Sequence, residues 1–123
     1  DATTKEWNPV VPEGMLLTFR VRANPCVKRN EKRVALRRLE EQLVWMQRQA
    51  TVNLGLELVQ CGVTGTGEIR STRRAGSQIV ATAAQFEGVA RAADPERLAA
   101  GIRMGIGHTR LLGLGLVSIA RVR

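Results

Sequence analysis

GIGHTRLLGLGLVSI, residues 105–119, sets two G-x-G pairs five residues apart and then runs into an apolar segment. Glycine tolerates positive φ and lets foreign atoms approach the main chain. Paired glycines with Arg110 between them therefore offer backbone N–H groups and one cation to a phosphate. Two tight turns on the way into a strand would use the same residues. The stretch is not a dinucleotide-binding fingerprint, because it precedes a strand instead of following one and Arg110 stands where the third glycine should be. Nor is it a P-loop, since Gly-Lys-Ser/Thr occurs nowhere in the chain. Its meaning depends on the elements to either side.

Immediately upstream, Asp94-Pro95-Glu96 is a helix start: an N-cap acceptor, proline at the first helical position and an acid facing the dipole. This helix should bury Leu98, Ala99 and Ile102 and end near Met104, with Gly105 as its left-handed cap. Downstream, LGLVSIARV makes a last strand. Two further strands, LELVQCGV (56–63) and QIVATAAQFEGVARA (78–92), flank TGTGEIRSTRRAGS and predict an antiparallel hairpin whose long tip carries Arg70, Arg73 and Arg74.

Nearer the N-terminus, an apolar stripe of Leu36, Leu39, Leu43, Met46 and Ala50 predicts a helix from about Val34, with Trp45 beside the stripe and Asn53 and Gly55 at its exit. A basic loop, Lys28 to Arg33, precedes it, and Asn24-Pro25 ends a strand in which Leu17, Phe19 and Val21 alternate with Thr18, Arg20 and Arg22. Residues 1–13 read as a linker or edge segment and residues 14–123 as one domain. The order strand, helix, strand, strand, helix, strand predicts an α+β fold of the ferredoxin-like or RRM-like βαββαβ plan, a four-stranded antiparallel sheet with two helices on one face. In the second and last strands, apolar residues occupy both alternating sets. A sheet apolar on both faces wants cover on both, which predicts a partner on the side away from the helices.

Nineteen Lys and Arg against eleven Asp and Glu give a net charge of +8, mostly from arginine, and make nucleic acid the first partner to consider. Base stacking of the RRM kind is not supported, because alternation points Phe19 inward and the chain has no tyrosine. Backbone recognition by arginines fits better, with Arg20 and Arg22 on the open strand face either solvated or in contact with RNA. Cys26 and Cys61 read as free thiols and nothing indicates a metal or cofactor. No segment has the length of a membrane span, and the cytoplasm is the default location. His108, the only histidine, lies inside the glycine stretch and is a candidate acid/base group, a phosphate contact or an incidental surface residue.

FRVRANP (19–25), WMQRQA (45–50), the run from FEGV at Phe86 through DPERL ending at Leu98, and GIGHTRLLGLGLVSIA (105–120) occur in an order and spacing that resemble the C-terminal half of the CasE family. Its members are CRISPR repeat-processing endoribonucleases of the Cascade complex. The resemblance implies two tandem ferredoxin-like domains, of which this chain is the second, and metal-independent cleavage by a 2′-hydroxyl with the acid/base histidine in the first domain. It implies as partners CRISPR repeat RNA, other Cascade subunits and the protein's own N-terminal domain. The family's glycine-rich loop maps onto Gly105, Gly107, Gly113 and Gly115, and its stem-docking hairpin onto the segment around Arg70 to Arg74. His108 stands where the family commonly has a basic residue and Leu112 where it often has an aromatic one, while Arg110 keeps the second basic position. Two other readings stay open: an assembly domain within Cascade, and a small ribonuclease using His108.

Overall fold

The computed structural model describes residues 11–72, 76, 78–106 and 114–122. In chain order these form β1 (Leu16–Ala23), β2 (Cys26–Arg29), β3 (Lys32–Ala35), α1 (Leu39–Asn53), β4 (Leu56–Thr72), β5 (Gln78–Ala92), α2 (Pro95–Met104) and β6 (Leu116–Arg121). β1 is the centre of the design. It pairs antiparallel with β5 on one side and β6 on the other, and β4 completes an antiparallel sheet in the order β4-β5-β1-β6. Helices follow its first and third strands in chain order, which is the ferredoxin-like α+β arrangement.

The period-two pattern of β1 decides which face is dry. Leu17, Phe19, Val21 and Ala23 are buried while Leu16, Thr18, Arg20 and Arg22 are exposed. Both helices cover the dry face: Trp45, Met46 and Ala50 of α1 and Leu98 of α2 join Leu17, Phe19, Val21 and Phe86 in one core. Trp45 stacks on Phe86 with ring centroids 5.9 Å apart. Val11 and Met15, at the end of the leading segment, pack against the same core. None of the described helices is long and apolar enough to cross a membrane.

The sequence stripe on the first helix is corrected in two ways. Residues 26–35 form a β-hairpin rather than a loop, so α1 begins at Leu39 and not near Val34. Asn30 and Glu31 at its turn both have positive φ, 49° and 63°, the requirement of a type I′ turn. The buried helix face runs through Gln42, Trp45, Met46 and Ala50, whereas Leu39 is 54% exposed and Leu36 is buried in the connection before the helix. Gln42 is tolerated there because its Nε2 donates to the Leu36 carbonyl at 2.9 Å.

The second helix follows its signals more closely. The Asp94 carboxylate accepts from the Arg97 N–H at 3.2 Å, and Leu98 is buried, with Ala99 and Ile102 half-buried. Gly105 ends it with φ 76° and ψ 175°, an extended positive-φ conformation reserved for glycine and not the left-handed cap expected.

The apolar residues on both faces of the second predicted strand have a local cause. The β4–β5 register slips between Leu58 and Gln60, so Leu56 and Leu58 before the bulge and Cys61 and Val63 after it all pack against the same core. Val59, the extra residue, is left 55% exposed. A Cβ at position 88 would collide with the Gln60 carbonyl, which is why glycine stands opposite this bulge. In the last strand Val117 and Ile119 face the core and Leu116 is exposed, while Leu114 is buried elsewhere, ahead of the strand. These two strands thus turn one apolar face to the helices, and their patterning does not call for the covering partner expected on the other.

Candidate nucleic-acid interface

β4 and β5 outrun the rest of the sheet. β1 pairs with β5 as far as Ala23↔Ala84, whereas the β4–β5 ladder continues from Gly67↔Ala83 to Thr72↔Gln78. The segment expected as a long loop tip is thus mostly a two-stranded arm, and Arg70 sits on β4 within it. A hairpin standing alone in water is marginal. This one is anchored at its root, where Ala83 and Leu114 are buried together with Ile69 packed on them, and where Asn24 Nδ2 donates to the Thr82 carbonyl at 2.7 Å.

The same corner of β1 holds the ends of the glycine stretch. The Gly115 N–H donates to the Arg22 carbonyl at 2.7 Å, and the Ile106 N–H donates to the Gly115 carbonyl at 3.0 Å. Leu114, one residue earlier, is the side chain buried at the root of the arm. Backbone clasp and side chain together bring the base of the glycine stretch and the arm to one end of the sheet. Gly105, Gly115, Arg22 and Arg70 are the described members of the sequence-derived site at this end. Arg73, Arg74, Gly107, His108, Arg110 and Gly113 lie outside the described residues.

The strand arginines are not equivalent. Arg20 lies directly across from Glu87, and its Nε is 3.6 Å from the carboxylate. The Glu87 carboxylate also accepts from Gln85 Nε2 at 2.8 Å and from the Thr64 hydroxyl at 3.0 Å. These two hydrogen bonds, and then the charge of Arg20, hold its carboxyl below the ordinary glutamate value. Arg70 is paired with Glu68 at 3.1 Å. Arg22 is exposed, faces Gln85 and Leu116 across the ladders, and forms no ion pair among the described residues. It is the least compensated strand cation of the predicted site, and it stands beside the clasp.

The Glu87 geometry has a pH signature. Its lowered folded pKa means that its stabilising contribution is fully present above the unfolded value and is lost as pH falls through the folded one. An NMR titration should give a Glu87 midpoint below 4.5 in the folded chain. A midpoint at or above that value would contradict the network.

Cys26 and Cys61 are free thiols, as expected, and burial pushes the Cys61 thiol up, away from a reactive thiolate. Among the described residues no three His, Cys, Asp or Glu side chains converge as metal ligands. The contributions of Asn24 and Leu114 escaped the sequence reading. FRVRANP signalled a strand end, but nothing local shows that its asparagine reaches a residue 58 positions away.

The sequence matches the family described as CRISPR associated protein over residues 1–121. It is 35% identical over 130 residues to the CRISPR-associated endoribonuclease Cse3 of Thermus thermophilus, an alignment covering 94% of this chain and 61% of that protein. A solved structure of CRISPR endoribonuclease Cse3 bound to a 19-nucleotide RNA superposes with a TM-score of 0.85 at 32% identity, covering 94% of this chain and 61% of that one. A chain of a CRISPR RNA-guided surveillance complex superposes with a TM-score of 0.72 at 26% identity, covering 92% and 62%. The chain thus spans less than two thirds of the length of each of these relatives.

Proposed function

Because the chain belongs to the CRISPR associated protein family, we propose that it is the C-terminal, RNA-holding domain of a CasE-type endoribonuclease. In this reading residues 14–123 hold the stem of a CRISPR repeat RNA while an N-terminal domain of the same protein supplies the cleavage chemistry that yields crRNA. The observation that carries it is the shared anchoring of the arm and the glycine-stretch base at the β1 corner, which brings the bases of both elements to one end of the sheet. The major groove of A-form RNA is too deep and narrow for side-chain reading of bases, but it brings phosphates of both strands close together. A thin arginine-bearing arm suits that groove. Arg22, Arg70, Arg73, Arg74, Arg110 and the backbone of Gly107 and Gly113 are the proposed contacts, with His108 a contact instead of a catalyst. The Gly105 and Gly115 N–H groups already donate to the Gly101 and Arg22 carbonyls, so these two glycines shape the base of the stretch and offer no N–H to a phosphate. Arg20 contributes less, since Glu87 already answers its charge.

The relative within a surveillance complex supports a second role beside RNA holding, a seat among other Cascade subunits in the cytoplasm. The two roles are compatible.

The test is binding of a CRISPR repeat hairpin by the 123-residue chain, which should bind without cutting. Replacing Arg70, Arg73 and Arg74 with alanine should weaken binding and reduce the dependence of log K on log salt by roughly 2 to 3. Unchanged affinity removes the arm from the contact set. Cleavage by this chain that vanishes in His108→Ala would replace the reading with that of a small ribonuclease.

A further inference from the structure

The β2–β3 hairpin carries charge that its own surroundings do not answer. Lys28 lies directly across from Arg33, and Arg29 from Lys32. Like charges facing each other across a ladder are destabilising. Among the described residues, none of the four forms an ion pair with a carboxylate. Arg33 Nη1 approaches Cys26 Sγ at 3.6 Å. The turn adds a conformational cost, because Glu31 is held at φ 63° without being glycine or asparagine.

Arg29 borders the first turns of α1, in a separate depression that Glu40 and Glu41 also line. Lys28 and Arg33 turn towards α1 and, with Asn24, Trp45, Gln49 and Asn53, line a depression of about 290 Å³. Asn53 Nδ2 donates to Gln49 Oε1 at 2.6 Å, which fixes the Gln49 amide, and no protein acceptor meets Gln49 Nε2 among the described residues. An ammonium, a guanidinium and an amide N–H₂ therefore border one hollow, beside the amide oxygens of Asn24 and Asn53, whose Nδ2 groups are engaged elsewhere. Two cations that no carboxylate meets among the described residues suit a group rich in acceptor oxygens and negative charge. Asn24, on its wall, is also the residue whose amide holds the arm through the Thr82 carbonyl.

We infer that this depression is a phosphate subsite for an RNA strand that also runs along the β4–β5 arm. The inference rests on the RNA-holding reading above and extends it to a surface that the sequence reading left as a basic loop. A nucleic-acid backbone is favoured over an acidic protein surface because Asn24, which lines the hollow, also holds the root of the arm, so the hollow lies at the same end of β1 as the proposed RNA contacts. Trp45 is only 8% exposed and stacked on Phe86, so the site reads phosphate and not a base.

The experiment measures binding of a repeat hairpin RNA to the 123-residue chain by fluorescence anisotropy over a salt series, together with thermal unfolding. K28Q/R33Q should lower the magnitude of the salt slope by roughly 1.4 to 1.8, as two lost phosphate contacts require. Its thermal midpoint should not fall, because removing facing like charges relieves repulsion. R97Q/R103Q on α2, with the same net charge, should change the slope much less. K28R/R33K, which keeps both charges, should retain it. An unchanged slope in K28Q/R33Q, or an equal drop in R97Q/R103Q, overturns the subsite and leaves the arm reading standing. Absence of RNA binding by the unaltered chain overturns the RNA-holding reading and the subsite with it.

Discussion

Phe86→Ala is expected to remove about 3–5 kcal/mol of unfolding free energy, a large part of the roughly 5–15 kcal/mol that holds a domain together. Phe86 is fully buried on β5, one of the two interior strands of the sheet, opposite Val21 on one side and Val63 on the other. Its ring is also the floor on which Trp45 of α1 rests at 5.9 Å. Truncation therefore costs the transfer energy of the ring, the cavity it leaves and the aromatic contact between sheet and helix. Urea unfolding followed by Trp fluorescence reads the result, and Phe86→Leu, which refills part of the space, should lose distinctly less. A change below about 1 kcal/mol for the alanine variant would mean that the helix layer does not rest on this residue.

The second large effect is on binding. If four or five phosphates are neutralised by the arm and corner arginines, these alone should make the affinity for a repeat hairpin fall with a log–log slope of roughly −3 to −4.5, which is a loss of about 60- to 500-fold between about 50 and about 200 mM salt, and the Lys28–Arg33 subsite adds roughly 1.4 to 1.8 to that magnitude. Arg22, Arg70, Arg73, Arg74 and Arg110 supply that number without Arg20, whose charge is met by Glu87. Arg70 must exchange its contact with Glu68 for a phosphate, so its share is smaller than that of a free cation. A slope near zero would sink the electrostatic account. A slope that stays within roughly −4.5 and does not change in K28Q/R33Q would leave the arm and corner arginines as the only contacts.

The frame of the fold was readable because its signals are local. The alternation around Phe19 fixed the buried face of β1, and Asp94-Pro95 fixed the start of α2 to the residue. What escaped depends on register or on distant partners. The bulge at Val59 is an insertion relative to β5, so a period-two reading of β4 alone sees two apolar faces where there is one. The β2–β3 turn uses Asn30-Glu31, without the glycine that marks such turns, so local sequence does not announce a hairpin there. The helical stripe borrowed Leu36 from the connection and Leu39 from the exposed side, while Trp45 carried the core. For the proposed site, the arginines and the glycines are named by sequence alone. Sequence did not show that Arg20 faces Glu87 across a rung, or that Asn24 ties the arm to the corner that holds the glycine stretch.

β4 is also an outer strand of the sheet and runs for 17 residues. A long open strand edge is a template for another copy of itself, and edge-to-edge aggregation is the hazard it brings. The two register slips divide this edge into short runs, of which Gly65–Thr72 is the longest, and that run carries the exposed charges of Glu68 and Arg70. Arg70 is thus also placed to act as a gatekeeper against self-association, apart from the RNA contact proposed for it. Removing it raises the colloidal risk, so arm variants are best compared at concentrations where light scattering shows monomers.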